Sequence, residues 1–420
     1  MLSLLMIFIF IVLTFVSLRT SIYLSSNNRR AVISPILLFT LFQTFMVNIG
    51  LLISVIEIQN YYEKYLIVLF STFFLNVGAL LAGKSKSFPI IKNYNQSKYN
   101  KSIILIGYLM VIFILTFLLQ DVLAGFVLSI NEIISGNTLS AISTLAKSRA
   151  NFTFSGVSNG IVSELKNIIL VFLTILIYSS NFKKYFKIIV VISTLIFLLS
   201  TGQRWPLFES LLVYVTFISY TRVIKINFKK SFVYAIIAYI IFFVVSFFSA
   251  RFEMTDDFVN NLILNVEAIN YRLFVSQSNT SLYIFELIPQ KMNFGFGKNI
   301  MLDFSTLLPG YQEGFSTFIY KLTHSGDVGS ASFSSLTLFY SDFGYFSLLI
   351  AGFFGFLIQK YTNNIFLKNI SVHRIIFHSF VVLAISTSSL GSISGIITHG
   401  LLSGFLMFKL LSFSLKSTKT

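Results

Sequence analysis

Residues 187–222 read KIIVVISTLIFLLSTGQRWPLFESLLVYVTFISYTR, two apolar runs on either side of a short polar break. Each run approaches the ~20 apolar residues that a helix needs to cross the hydrocarbon core of a bilayer. Arg204 and Glu209 lie in or just beyond the break, beside Trp205, the single tryptophan of the chain. Runs of similar length recur from end to end of the 420 residues, which are 55% hydrophobic and 11% charged. Soluble domains carry about 25% charged residues. The pattern predicts an all-α polytopic integral membrane protein forming one transmembrane domain over residues 1–420. Spans are expected at 2–20, 33–54, 65–83, 102–120, 161–180, 187–201, 206–222, 231–250, 333–358, 375–391 and 396–414, eleven helices in all. The first run, MLSLLMIFIFIVLTFVSL, has neither a basic n-region nor a small-residue cleavage site and is read as a span.

The net charge of +16 is distributed by loop, which argues for orientation and against nucleic acid. Stretches 19–34, 84–101, 181–187, 222–230, 360–374 and 409–420 hold 21 of the 31 Lys and Arg residues and no Asp or Glu. The alternate connections, 55–65, 120–166, 201–209 and 251–330, hold 14 of the 15 acids. The positive-inside rule then puts the basic stretches and the C-terminus in the cytoplasm and the N-terminus outside. TGQRWP becomes a tight outer turn, with Pro206 in the first turn of the next helix and Trp205 in the interfacial belt. Glu209 falls nearly a turn deeper, where an ionised group needs a partner such as Arg204 or an arginine of the large loop.

Zero cysteines excludes disulfides and thiolate metal sites. The four histidines show no metal-ligand spacing and no DxD-like motif is present, so neither metal nor cofactor is expected. TSSLGSISG, 387–395, reads as a thin outer turn, and GSISG with GLLSG offers glycines four apart for close helix packing. Two outer segments are too long to be turns: 120–160, the first outer loop, and 251–332, the large one. Within 258–290 apolar residues recur at helical spacing, which predicts amphipathic helix lying on the membrane surface.

The outer face offers Arg149, Arg204, Arg251 and Arg272, with Lys147, Lys166, Lys291, Lys298 and Lys321. Arginine binds phosphate in two-pronged fashion, so a cluster at the outer leaflet points to an anionic headgroup, with a lipid-linked diphosphate as the natural candidate. Arg204, Arg251 and Arg272 are the candidate catalytic cations; Arg149, Glu209, Lys298 and Lys321 are candidate binding residues. Candidate bases are Glu253, close to the membrane and to Arg251, and His324, the single outer-loop histidine. GFGKN at 295–299 lacks the glycine pattern of a phosphate loop.

The large loop contains GFGKNIMLDFSTLLPG and leads into GSASFSSLTLFYSDFGYFSLLIAGFFGFL, residues 329–357. These segments, with the topology around them, resemble the oligosaccharide repeat unit polymerases, the O-antigen polymerase family. An Arg, ten residues, Gly pattern of that family fits RANFTFSGVSNG, Arg149 to Gly160. The large loop has no second copy, since Leu262 and Tyr283 stand eleven after Arg251 and Arg272. The resemblance implies a GT-C-like glycosyltransferase architecture in a bacterial inner membrane, with the large loop periplasmic. Its substrates would be undecaprenyl-diphosphate-linked oligosaccharides, polymerised into O-antigen or capsule-type polysaccharide, with membrane lipids and a chain-length regulator as partners. A diphosphate leaves well once cations stabilise its charge, so only a base for the acceptor hydroxyl remains to be supplied. An O-antigen ligase has the same needs. A lipid-linked oligosaccharide flippase is disfavoured by the long outer loop and by the lack of internal repeats.

Overall fold

A computed structural model describes residues 2–27, 30–84, 101–135, 162–201, 204–221, 258–305, 314–323, 333–365, 372–391 and 393–398, with isolated positions between 144 and 409. Among the described residues the chain is helical, apart from a two-residue antiparallel ladder pairing Ser26–Asn27 with Arg30–Ala31. Its helices are α1 (Leu2–Leu24), α2 (Pro35–Ile58), α3 (Tyr62–Leu81), α4 (Lys101–Leu118), α5 (Gln120–Ile134), α6 (Val162–Ser179), α7 (Lys184–Ser200) and α8 (Arg204–Thr221). Then follow α9 (Phe258–Asn270), α10 (Ser276–Leu287), α11 (Lys298–Ser305), α12 (Phe315–Thr323), α13 (Ser335–Phe343), α14 (Ser347–Ile365), α15 (Val372–Thr387) and α16 (Gly395–Thr398). Among the described residues, six segments are long and apolar enough to cross a bilayer: α1, α2, α3, α4, α6 and the stretch Ser335–Ile365 that holds α13 and α14. The protein is membrane-embedded; the expected spans 231–250 and 396–414 lie mostly outside the described residues.

Two apolar cores share α15. Its Ile375, Ile376 and Phe380 pack with α4, α6, α7 and α8, while Val381 and Ile385 pack with α1, α2, α3, α10 and α14. α1 lies at the rim, with Leu4, Phe8 and Phe15 more than half exposed, as a lipid-facing helix should be. Ser34 caps α2, accepting from Leu37 N–H at 3.3 Å, and Pro35 follows where its missing N–H costs nothing. Gln59 and Tyr61, both left-handed, turn the chain tightly back into α3.

α3 and α14 run parallel at very short range. A Cβ on Gly78 would fall on the Gly352 carbonyl, and one on Gly355 on the Leu75 carbonyl. At one end of this pair Asn363 Nδ2 donates to Ala82 O at 3.1 Å and to Gly83 O at 2.9 Å. At the other, Lys64 Nζ donates to Phe285 O and, at 2.9 Å, to Ile288 O, closing the carbonyl end of α10. The close-packing glycines of this helix pair are therefore Gly78 and those of AGFFG. Gly391 and Gly404, from the two motifs expected to pack, meet neighbours only at ordinary contact distance, 3.6 Å.

The expected span 333–358 is instead a reversal. Phe339 and Phe354 have ring centroids 5.8 Å apart, though fifteen residues of continuous helix would separate them by about 22 Å. Gly344, at φ +54°, makes the turn, so α13 folds back along α14. α13 thus begins inside the bundle, where Ser334 caps it and Ser335 N–H donates to Ser388 O at 3.0 Å. TSSLGSISG is correspondingly no surface turn: Ser386, Thr387, Ser388 and Ser389 are at most 1% exposed. Ser394 N–H is held by buried Asp303 Oδ2 at 2.9 Å.

The resemblance-carrying residues form a clasp at the Gly344 turn. Asp342 accepts from Asn299 N–H at 3.0 Å and Ile300 N–H at 2.9 Å, capping α11 with a carboxylate. Gly295 N–H donates to Ser341 O at 3.1 Å, and a Cβ on Gly295 would collide with Asp342. GFGKN is thus a structural partner of SDFG.

The 258–290 stretch is helical as expected but does not lie on a surface throughout. A Cβ on Gly50 of α2 would fall on Phe274 O, and Ser278, Ser281, Ile284 and Phe285 are buried, so residues 274–287 run alongside α2 inside the bundle. In α9 the inward positions include Asn261 and Asn265, 4% and 0% exposed, while Val259 and Ile263 face outward. That inversion of the soluble pattern suits a helix whose outer side meets lipid. Residues 120–134, expected to open the first outer loop, are helical.

Candidate functional site

Three helical stretches widen into π-turns: Gln43–Asn48 within α2, Leu165–Ile169 within α6, and Tyr271–Val275 between α9 and α10. A π-turn inserts an extra residue into the hydrogen-bond ladder and recurs at functional sites. Two of them touch, and α8 links the other to that pair. The first packs against the third, the second packs against α8, and Phe208 of α8 meets Phe42 beside the first, with centroids 5.9 Å apart. The first carries buried Gln43 and Asn48 and the second buried Lys166; Arg272 falls within the third.

The register of α8 fixes the depth of this constellation. Ile33 N–H donates to Ser219 Oγ at 3.1 Å, and Phe208 pairs with Phe42, so α8 runs antiparallel to α2. Arg204, one turn before Phe208, therefore lies beside the middle of α2, about 18 Å along the axis from Ile58. Thr201 and Pro206, at the two ends of the expected interfacial turn TGQRWP, are buried; Gly202 and Gln203 lie outside the described residues.

Glu209 is 3% exposed, and so is Lys166 on the second π-turn. Their opposite charges act on each other across the α6–α8 contact. An ionised group in this setting is stable only with such a partner, and a pair of this kind inside membrane helices marks a functional interior. Lys166 is thus one charge that acts on Glu209; the side chains of Arg204 and Arg272 and the whole of Arg251, the arginines expected beside it, lie outside the described atoms. The signal was present in the sequence, since a lysine five residues into the 161–180 apolar run has no cheap alternative to pairing.

Of the other candidates, Arg204 opens α8 and Arg272 falls on the third π-turn; the side chains of both lie outside the described atoms. Arg149, Arg251, Glu253 and His324 lie outside the described residues. Lys298, at the start of α11, and Lys321, near the end of α12, are exposed and away from the buried pair. Lys291 pairs on the surface with Glu286. Among the described residues no three His, Asp or Glu side chains gather as a metal site would require. Comparison with protein-family models, with curated proteins and with solved structures gives no match for this chain.

Proposed function

We propose that this protein is a membrane glycosyltransferase that polymerises lipid-linked oligosaccharide repeat units. The growing glycan would pass from undecaprenyl diphosphate to a hydroxyl of an incoming lipid-linked unit, at the outer leaflet of a bacterial inner membrane. The observation that carries the reading is the buried Lys166–Glu209 pair, set beside the first turn of the helix that Arg204 opens. A cation inside the bundle, with arginines on the neighbouring helix start and π-turn, suits a diphosphate that must gain negative charge as it leaves. In the transfer, the bond from the anomeric carbon to the diphosphate oxygen breaks and the acceptor oxygen bonds to that carbon. The acceptor proton goes to a base, for which Glu253 and His324 are the candidates. Glu209 holds Lys166 in place before substrate arrives.

One observation favours a second reading, a lipid-linked oligosaccharide flippase. α13 begins, and α15 ends, inside the bundle, and interrupted helices meeting at mid-depth are how transporters build substrate sites. Deleting the gene separates the two. Loss of a polymerase leaves single repeat units on the surface acceptor, whereas loss of a flippase or of a ligase leaves none. An acceptor carrying no sugar at all in the deletion strain would end the polymerase reading.

A further inference from the structure

The clasp at the Gly344 turn contains one residue that turn geometry does not explain. Gly295 has to be glycine, since a Cβ there would collide with Asp342, and Gly297 takes φ +94°. Phe296 between them also lies in the left-handed region, at φ +50°, which costs a residue with a side chain about 1–2 kcal/mol. Glycine would make the same turn without that cost. The backbone is nevertheless held there: Phe296 N–H donates to Asp342 O at 2.9 Å, beside the bond from Gly295 N–H to Ser341 O. Phe296 itself is 79% exposed, so its ring packs on little within the protein. A strained backbone that presents a bare phenyl ring points to something that receives the ring.

The depth of Phe296 identifies the receiver. Phe339 and Phe354 meet across the α13–α14 hairpin, which puts its tip near residues 346–347 and Asp342 about 6 Å below that tip. α14 has 19 residues, about 28 Å of helix, and so spans the hydrocarbon core by itself. Its Phe346, Leu349, Phe353 and Leu357 are exposed at three- and four-residue spacing, a lipid-facing stripe that starts at the tip. Phe296 is bonded about one turn below that start, level with Leu349. On α11, Met301 is 71% exposed while Asn299 and Asp303 are buried, so this short helix also turns its apolar side outward. Lys298 is exposed too, and its stem is long enough to carry the ammonium to headgroup phosphates. We propose that Phe296 and Met301 fasten the 294–305 segment of the large loop to the leaflet at this end of the bundle, with both side chains among lipid acyl chains. The inference stands on the clasp and the α14 stripe and is independent of what reaction the protein performs.

The absence of native cysteine allows a direct test on the full-length protein in phosphatidylcholine–phosphatidylglycerol vesicles. Single thiols at Phe296→Cys and Met301→Cys are labelled with bimane, whose fluorescence is quenched by doxyl lipid from within the bilayer and by iodide from water. Phe113→Cys, on the exposed side of α4, is the lipid control, and Lys291→Cys, an exposed position of the same large loop, is the aqueous one. Iodide is expected to quench at 296 and 301 about tenfold less than at 291, because an ion does not enter hydrocarbon. The ratio of doxyl to iodide quenching should therefore fall nearer that of Phe113→Cys than that of Lys291→Cys. Met301→Cys leaves Phe296 in place, so it reads the same segment if a label at 296 upsets the loop. A ratio nearer that of Lys291→Cys at both positions would overturn the proposal. Shielding from both quenchers would overturn it as well, and would assign the face to a second copy of the chain.

Discussion

Two helix contacts in this protein solve the same problem in opposite ways. α3 and α14 approach through Gly78, Gly352 and Gly355, with backbone against backbone and no side chain between them. α6 and α8 instead keep a buried lysine, on the π-turn of α6, and a buried glutamate, on α8. The first contact gains dispersion and has nothing to rearrange. The second keeps two ions where two apolar side chains would pack at lower cost. A glycine seam is what a scaffold needs; a buried ion pair is what a site needs. The contrast is the reason for proposing the site on the α6–α8 side and support on the α3–α14 side.

Substitutions that treat the two contacts alike should give unequal results. The largest loss is expected from Glu209→Leu, which removes a buried carboxylate acting on Lys166, at a cost of about 3–5 kcal/mol. The double variant Lys166→Leu/Glu209→Leu should recover most of that. Thermal unfolding of the detergent-solubilised proteins reads both, and a double variant as unstable as the single one would show the pair to be part of the scaffold. Gly355→Leu should come next, losing about 3 kcal/mol through overpacking against the Leu75 carbonyl, with no second substitution able to rescue it. Its check is the yield of monodisperse protein after extraction. Asp342→Ala removes the carboxylate that caps α11 and should cost about 2 kcal/mol, measured as a lowered unfolding temperature. At the small end, Gly391→Ala should change stability by less than about 0.5 kcal/mol, because ordinary contact distance already separates that glycine from its neighbours. A loss as large as that of Gly355→Leu would place a second tight seam at Gly391.

How much of this could be read from the chain depends on what hydropathy measures. Apolar run length reports that a segment prefers lipid, and it identified α1, α2, α3, α4 and α6 to within a few residues of their observed ends. It carries no direction, so the reversal at Gly344 left no trace in the composition of 333–358. Nor does it separate a polar turn in water from one inside a bundle, which is why TSSLGSISG looked like surface. For the site, Glu209 stood out because a carboxylate inside an apolar run has few explanations. Lys166 had the same signal, but it was read with the loop cations since its run begins only a few residues earlier. The glycine seam was missed for a different reason. AGFFG became a contact because Gly78 faces it from a helix some 270 residues away in sequence, and no local pattern records that pairing.

The double variant also allows the ion pair to be tested for function without losing the fold. Lys166→Leu/Glu209→Leu protein, purified in the folded state and supplied with a defined undecaprenyl-diphosphate-linked repeat unit, should release no diphosphate and extend no glycan, while the unsubstituted protein does both. Glycan of normal length from the double variant would contradict the assignment of those two side chains to the chemistry.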